Sequence, residues 1–108
     1  MNQKKRSSAS GRKTVSVRLI KAIRRHVDIV KVVEPYVPLQ RVGRHFRGRC
    51  PFHRERGASL AVSPQRQMYY CLGCGAGGDI FAFMMGMEKI TFRAAVKRLA
   101  GSIPKRAR

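Results

Sequence analysis

Acidic residues are scarce in this chain. Its 108 residues include 5 Asp and Glu against 24 Lys and Arg, which gives a formal net charge of +19. Two-metal catalysis needs converging carboxylates, so this composition argues against an enzyme complete within the chain. A surplus of positive charge this large is typical of proteins that bind a polyanion, with nucleic acid as the first candidate and an anionic membrane surface as the alternative.

Long apolar runs are also missing. The longest nearly unbroken one covers residues 80–87, far short of the ~20 residues that cross a bilayer. The basic N-terminus lacks the apolar stretch of a secretion signal. The chain has three cysteines, and an odd number argues against a closed disulfide framework. We therefore expect a cytoplasmic, nucleoid-associated protein with reduced thiols and no membrane partner.

The length allows one domain with basic ends. Residues 1–13 hold five basic residues and no acid, which predicts a disordered basic tail. Residues 102–108 hold three more basic residues and are expected to form a basic C-terminal tail. The intervening domain, residues 14–101, keeps 16 basic and 5 acidic residues, so its own net charge is near +11.

Helical patterns stand at both ends of this domain. Residues 16–26 carry apolar side chains at helical spacing, and Asp28 is expected to cap a second short helix. Asp79 and Thr91 are expected to cap two closing helices, the last of which ends at Gly101. The predicted inner faces of those two helices comprise Ile80, Phe83, Met84 and Met87, then Phe92, Ala95, Val96 and Leu99.

Strand patterns fill the middle of the chain. Residues 36–42 and 45–47 predict two strands joined at a turn over 43–44. Residues 60–62 and 68–70 predict a second hairpin. The sequence therefore predicts an α+β fold, a small antiparallel sheet flanked by short N- and C-terminal helices.

Two pairs of metal-ligand residues follow predicted strands. Cys50 and His53 are separated by two residues, as are Cys71 and Cys74, and 17 residues lie between the pairs. Zinc takes thiolate sulfur and imidazole nitrogen in tetrahedral geometry, and this spacing lets a tight turn aim two side chains at one ion. Four protein ligands leave no open position, so we predict one structural Zn²⁺.

Three other interpretations of these residues remain open. Cys71 and Cys74 match a redox Cys-x-x-Cys motif, although the βαβ context of such motifs is missing. The cysteines could be buried while His53 is an ordinary surface histidine. Another metal, such as iron, could occupy the site.

The sequence resembles the N-terminal zinc-binding domain of bacterial replicative DNA primases, which carries a Cys-His-Cys-Cys zinc ribbon. The resemblance covers about residues 16–101. The residues that carry it are Asp28-Ile29-Val30, Tyr36-Val37-Pro38-Leu39, Gly43-Arg44, Phe46-Arg47-Gly48, Cys50-Pro51-Phe52-His53, Val62-Ser63-Pro64, Gln67, Tyr69, Cys71-Leu72-Gly73-Cys74-Gly75-Ala76, Gly78-Asp79, Thr91-Phe92, Ala95 and Leu99-Ala100.

The resemblance implies a zinc-ribbon sheet that binds single-stranded template DNA and helps to recognise initiation sites. It also implies a polymerase domain or subunit acting in trans to make RNA primers, and the replicative helicase as a further candidate partner. Basic residues occupy the exposed sheet face in the family, and Arg44, Arg56 and Arg66 stand at such positions here.

Two departures from the family pattern stand out. Residues 55–60 read Glu-Arg-Gly-Ala-Ser-Leu, where the family has a run like Glu-Lys-Thr-Pro-Ser-Phe. Because the proline and the aromatic ring are missing, the family's template preference at this loop does not carry over to this chain. The chain also ends at Arg108, without the polymerase and helicase-binding domains of the family. We expect a module that is not an enzyme by itself.

Cationic and aromatic residues alternate around the predicted sheet. Guanidinium groups can follow phosphates while aromatic rings stack on unpaired bases. The predicted DNA-binding residues are Arg44, Arg47, Arg56, Arg66, Tyr69 and Tyr70, with Arg49 and Phe46 nearby. Because side chains alternate along a strand, only one of the two tyrosines faces outward. For Phe46, a position in the core remains an alternative.

Two other functions remain as alternatives. One is a stand-alone zinc-finger regulator of nucleic acids, or a protein-docking module, with no role in priming. The other is a self-contained primase, against which the five carboxylates argue because they show no clustered pair or trio.

Overall fold

The computed structural model describes residues 15–52, 57 and 59–104. Helix α1 spans Val17–His26, and helix α2 spans Ile29–Val33. The hydroxyl of Ser16 accepts a hydrogen bond from the Leu19 amide and caps α1, while the carboxylate of Asp28 accepts from the Val30 amide and caps α2. Both predicted helices are therefore present, each beginning at a side-chain cap.

Five short strands form one sheet. They are β1 (Gln40–Val42), β2 (His45–Gly48), β3 (Leu60–Ser63), β4 (Met68–Cys71) and β5 (Gly77–Gly78). The strands lie in chain order, and every neighbouring pair is antiparallel. Gly43 has a φ of 66° in the turn between β1 and β2, a conformation that favours glycine.

The sheet differs from the sequence prediction at two places. The first strand covers only Gln40–Val42, so the strand prediction over 36–39 was wrong. The amides of Tyr36 and Val37 donate to the Val33 carbonyl and continue the turn after α2, and Pro38 has no amide to donate. Strand β5 was not predicted, because two glycines carry no strand pattern.

Two further helices complete the fold. Helix α3 spans Ile80–Glu88 and is capped by Asp79, and α4 spans Phe92–Ala100 and is capped by Thr91. Phe81, outside the predicted inner face of α3, is buried, whereas Phe92 is 38% exposed. Phe81 is buried because α3 is covered on more than one side. The Phe92 ring lies 5.3 Å from the Phe81 ring, at the margin of the contact between α3 and α4.

A single core joins the inner face of the sheet to the helices. Leu60, Val62 and Cys71 from the strands are fully buried in one cluster with residues of all four helices. Ile103, which the sequence assigned to the C-terminal tail, is 6% exposed and belongs to this cluster. The packed structure therefore reaches residue 103, while the predicted tail at 1–13 lies outside the described residues.

Candidate functional site

Three cysteines meet at one end of the sheet. Cys50 follows β2, Cys71 ends β4, and Cys74 lies in the turn before β5. Their sulfur atoms all lie within 4.8 Å of one another, and the sulfurs of Cys50 and Cys74 are 3.9 Å apart. Zn–S bonds of ≈ 2.3 Å in tetrahedral geometry place two sulfurs about 3.8 Å apart. The cluster has the dimensions of a zinc site.

Backbone amides point at these sulfurs. The amide of Phe52 donates to the sulfur of Cys50 at 3.4 Å, and the amides of Gly73 and Cys74 donate to the sulfur of Cys71 at 3.3 and 3.4 Å. Such donors stabilise a thiolate over a thiol. Each turn therefore provides donors that favour a negatively charged sulfur, as in a metal-bound thiolate.

Burial and hydrogen bonding act in opposite directions on the two buried thiols. Burial raises the pKa of the Cys50 thiol to about 12. Burial acts in the same direction on Cys71, but the amides of Cys74 and Gly73 and the thiol of Cys50 together lower the pKa of Cys71. Three adjacent sulfurs cannot all ionise without a cation between them, and a divalent metal supplies that charge.

The fourth predicted ligand, His53, lies outside the described residues, as does Arg56. The neighbouring Phe52 is described and packs its ring against Tyr69 at 5.9 Å and against Phe83 at 5.8 Å. Aromatic contacts of this kind contribute about 0.5–1.5 kcal/mol each beyond the area they bury. The motif that contains Cys50 is thereby tied to the main core.

The outer face of the sheet holds a groove of about 840 Å³. One cross-strand row on this face runs through Gln40, Arg47, Ala61, Tyr70 and Gly77. The cross-strand neighbours Ala61 and Gly77 are too small to cover the Tyr70 side chain, which is 50% exposed. The Tyr70 ring is thus accessible to a flat ligand.

The two tyrosines have opposite environments. Tyr69 is 5% exposed, and its ring lies 5.3 Å from that of Phe83. Only Tyr70 therefore offers a ring face to solvent, and Tyr69 serves the core beneath the groove. Phe46 also faces the core, with the Arg41 guanidinium 5.7 Å from its ring centre.

Cations line the end of the groove away from the cysteines. Arg44 lies in the turn between β1 and β2, Arg66 lies in the turn between β3 and β4, and both are exposed and line the groove. His45 lines it as well, and no carboxylate is among the described lining residues. Arg47 is half-buried in the row that contains Tyr70. The groove therefore combines an exposed aromatic ring with a positively charged end.

Gln67 is a residue whose role the sequence reasoning missed. It has a φ of 55°, and its side-chain oxygen accepts a hydrogen bond of 2.8 Å from the amide of Ile29. Its amide nitrogen donates to the carboxylate of Asp28 at 3.0 Å and to the carbonyl of Pro64 at 2.8 Å. Gln67 thereby ties the turn that carries Arg66 to the start of α2. No local sequence pattern predicts such a long-range contact.

Most of the described carboxylates serve the fold. Three of them have side-chain partners within the molecule, namely Asp28 with Gln67, Asp79 with Arg24, and Glu88 with Tyr36 and Arg98. Asp28 and Asp79 are also the caps of α2 and α3. Three of the four described carboxylates are thus engaged in internal contacts, while Glu34 and most cations are exposed.

An antiparallel sheet backed by helices, with three sulfurs meeting at the ends of its strands, defines a zinc-ribbon protein. The chain matches the CHC2 zinc finger family over residues 15–106 and belongs to that family. Its metal is one structural zinc ion, as the cysteine cluster and the family together indicate.

The chain is similar to bacterial DNA primases. It is 56% identical over 81 residues to the DNA primase of Geobacillus stearothermophilus, covering 75% of this chain and 14% of the relative. It is 48% identical over 82 residues to that of Thermotoga maritima, covering 76% of this chain and 14% of the relative. The chain thus spans a small part of the length of these relatives.

A solved structure shows the same fold. The crystal structure of the Aquifex aeolicus primase, which contains its zinc-binding and RNA polymerase domains, matches with a TM-score of 0.75 and 38% identity. The match covers 82% of this chain and 22% of the other. The α+β prediction and the resemblance to the primase zinc-binding domain are both confirmed. Within the described part of the chain, no helix is long and apolar enough to span a membrane.

Proposed function

We propose that this chain is a zinc-dependent module of DNA primase type that binds single-stranded template DNA on the outer face of its sheet. It supports RNA primer synthesis with a polymerase domain supplied elsewhere, in the cytoplasm at the nucleoid. The observation that carries this proposal is the exposed Tyr70 ring within a groove lined at one end by Arg44 and Arg66.

A single strand fits this groove better than a duplex does. Stacking on Tyr70 requires an unpaired base, and such stacking is worth about 1–3 kcal/mol per base. The guanidinium groups of Arg44 and Arg66 lie in turns at the end of the sheet away from the cysteines, where they can contact phosphates on one side of the stacked base. A duplex presents its phosphates but keeps its bases stacked on one another, so it gains the charge contacts without the ring contact.

We assign the four zinc ligands as Cys50, His53, Cys71 and Cys74. The geometry of the three sulfurs supports the cysteines, and the Cys-x-x-His spacing and the CHC2 family support His53. Zinc supplies a structural crosslink here and no open coordination position. Its role in binding is to keep the ends of β2 and β4 together beneath the groove.

The module is not an enzyme by itself in this proposal. Two-metal nucleotide transfer needs converging carboxylates, and the only cluster of three or more metal-ligand side chains within the described ranges is that of the cysteines. The similar Aquifex aeolicus protein combines zinc-binding and RNA polymerase domains. That combination supports a polymerase domain as the partner of this module.

Fluorescence anisotropy with a labelled single-stranded oligonucleotide tests the binding step. Tyr70→Ala should weaken binding roughly 5- to 150-fold, the loss expected for one stacked base, while Tyr70→Phe should keep most of the affinity because its ring still stacks. Arg66→Gln should weaken binding and make its salt dependence shallower. Lys31→Gln, an exposed cation of α2 that does not line the groove, is the matched control for charge.

The priming step needs a separate assay. The zinc-loaded chain added to a primase polymerase domain should increase ribonucleotide incorporation on single-stranded template, and Tyr70→Ala should reduce that increase. Binding without any stimulation would favour a stand-alone nucleic-acid regulator. Equal affinity of wild type and Tyr70→Ala for single strands would contradict the proposed binding face.

A further inference from the structure

A second group of cations lies on α1, on the side of the helix that faces solvent. Ile23 is fully buried, and Leu19 is half-buried on the same side. Arg18, Lys21 and Arg25 are spaced three and four residues apart and are all exposed. This spacing places them in one line along the opposite face of the helix.

Helix α4 adds two cations beside α1. Arg93 and Lys97 are exposed, lie four residues apart, and line a groove of about 490 Å³ that Ser16 and Leu19 border from the side of α1. We call these two rows of cations on neighbouring helices, Arg18, Lys21 and Arg25 with Arg93 and Lys97, the helical basic face. Helix α1 packs on α4 and α4 packs on α3, whereas α2 and α3 contact the strands, so this face is distinct from the groove on the sheet.

Internal ion pairs do not account for these cations. Between described residues, Asp79 pairs with Arg24 and Glu88 pairs with Arg98, and no ion pair involves a member of the helical basic face.

Helix stability does not account for two of them either. Arg18 and Arg93 are each the second residue of their helix, where the partial positive charge of the helix start disfavours a cation. Neither helix has an acidic residue in its first turn. Cations at these two positions are thus available to an anionic ligand outside the fold.

The sequence extends the same charge beyond α1. Residues 1–27 contain nine Lys and Arg and no acidic residue. We propose that the helical basic face is a second nucleic-acid-binding surface, which contacts the phosphate backbone without regard to base identity or strandedness. This surface acts independently of Tyr70 and of the groove on the sheet.

Nucleic acid fits this face better than the other polyanions do. A lipid surface requires a row of apolar side chains that enter the bilayer beside the cations, whereas Val17 is the single large apolar residue that α1 exposes and the others pack on the core. An acidic protein partner is typically held by aromatic or other large anchors, and the row Arg18, Lys21 and Arg25 contains none. Evenly spaced cations without such anchors match a chain of phosphates.

The double variant Arg18→Gln/Arg93→Gln tests the proposal in the zinc-loaded full chain. Binding to a mixed-sequence 30-nucleotide single strand and to the matching duplex is measured across a range of salt concentrations. Losing two phosphate contacts should make the slope of log affinity against log salt shallower by about 1.4 for the single strand and about 1.8 for the duplex. Over the tenfold change from 1 M to 0.1 M salt, this slope difference corresponds to about 25-fold weaker binding of the single strand at 0.1 M.

The matched control is Lys31→Gln/Lys89→Asn, which removes the same charge from exposed positions outside this face. Asn suits position 89 because Lys89 has a φ of 55°, a conformation that Asn tolerates. The thermal midpoint of Arg18→Gln/Arg93→Gln should equal or exceed that of the wild type, because both changes remove a cation from a helix start. A loss of binding therefore cannot be attributed to unfolding.

Tyr70→Ala separates this proposal from the proposed function. Tyr70→Ala should weaken single-strand binding more than duplex binding, whereas Arg18→Gln/Arg93→Gln should weaken both. Nucleic-acid affinity within twofold of the control pair, with a salt slope equal to that of the control pair, would overturn the second surface and leave the groove on the sheet untouched. A loss confined to polyglutamate or to phosphatidylserine vesicles would overturn it in favour of an acidic protein or a lipid surface.

Discussion

At the scale of single residues, Gln67 connects two segments far apart in sequence. It accepts from the amide of Ile29 and donates to Asp28 and Pro64. Ile29 is fully buried, and an amide left without an acceptor in such a place costs about 1–3 kcal/mol. The position of Arg66, one residue before Gln67, depends on these three hydrogen bonds.

The variant Gln67→Glu tests this connection. It keeps an oxygen for the Ile29 amide but replaces the donor that faces Asp28 and Pro64, so we expect a loss of about 1–3 kcal/mol in the free energy of unfolding. Gln65→Glu makes the same change of charge at an exposed position in the same turn and should have little effect. Denaturant titration of the zinc-loaded proteins measures both, and equal stability of the two variants would contradict the role of Gln67.

The sequence predicts ligand types better than it predicts orientation. The cysteine spacing alone indicated a metal site, because ligand pairs two residues apart suit only a few local geometries. Strand alternation showed that one tyrosine faces outward but could not say which, since that depends on the register with β3 and β5. The contacts of Gln67 were not predicted for a similar reason, because Ile29 and Asp28 lie 38 and 39 residues away in the chain.

At the scale of elements, the zinc cluster holds the ends of the strands. Cys71 closes β4, and its amide donates to the carbonyl of Ala76, which leads into β5. The strands are two to four residues long, and sheets this small depend on their packing and crosslinks. Structural zinc contributes about 10–16 kcal/mol in small domains at neutral pH.

Removal of zinc should therefore unfold at least the sheet. We expect a strong chelator to abolish the strand contribution to far-UV circular dichroism, and Cys71→Ser to prevent stoichiometric zinc binding. Readdition of zinc to the chelated wild type should restore the spectrum. An unchanged spectrum after metal loss is verified by elemental analysis would contradict this prediction.

The elements also differ in how well sequence patterns predicted them. The capped helices were predicted well, because Asp28, Asp79 and Thr91 each satisfy amide groups at a helix start. The first strand was predicted too long, since the turn after α2 takes up Tyr36 and Val37. Strand β5 forms because Gly77 can approach β4 closely, as a Cβ there would lie 3.0 Å from the carbonyl oxygen of Tyr69.

A carboxylate joins three elements near the ends of α3 and α4. Glu88 accepts a hydrogen bond of 2.6 Å from the hydroxyl of Tyr36, and Arg98 lies 3.3 Å away. The hydrogen bond from Tyr36, and then that from Arg98, lower the pKa of the Glu88 carboxyl below its ordinary value of 4.5. Because the folded-state value is the lower one, the contribution of Glu88 to stability is present above pH 4.5 and is lost as pH falls through the folded-state pKa.

Glu88→Gln should therefore be less stable than the wild type at neutral pH, and the difference should shrink as pH falls below about 4.5. Paired thermal melts over this range measure the difference. Protonation of the zinc ligands at low pH affects both proteins and cancels in the comparison. A difference that is constant with pH would exclude an ionised Glu88 as the cause.

At the scale of the whole molecule, the net charge of +19 should produce opposite salt responses for folding and for binding. Like charges repel within the folded chain, and salt screens that repulsion. The thermal midpoint of the free protein should rise with sodium chloride, while affinity for DNA should fall. Sodium chloride is used in this experiment in place of a sulfate salt, because sulfate stabilises proteins by exclusion from their surfaces. A midpoint that falls with added chloride would contradict this prediction.

The sheet ends on both sides in strands of minimal length. The outermost strands are β1, with three residues that include Arg41, and β5, with two glycines. Unpaired backbone at the margin of a sheet is the usual template for fibril growth and domain swapping, and short charged margins suppress both. Even at the high concentrations used for crystallisation or expression, neighbouring copies would find little backbone on which to extend one another's sheet.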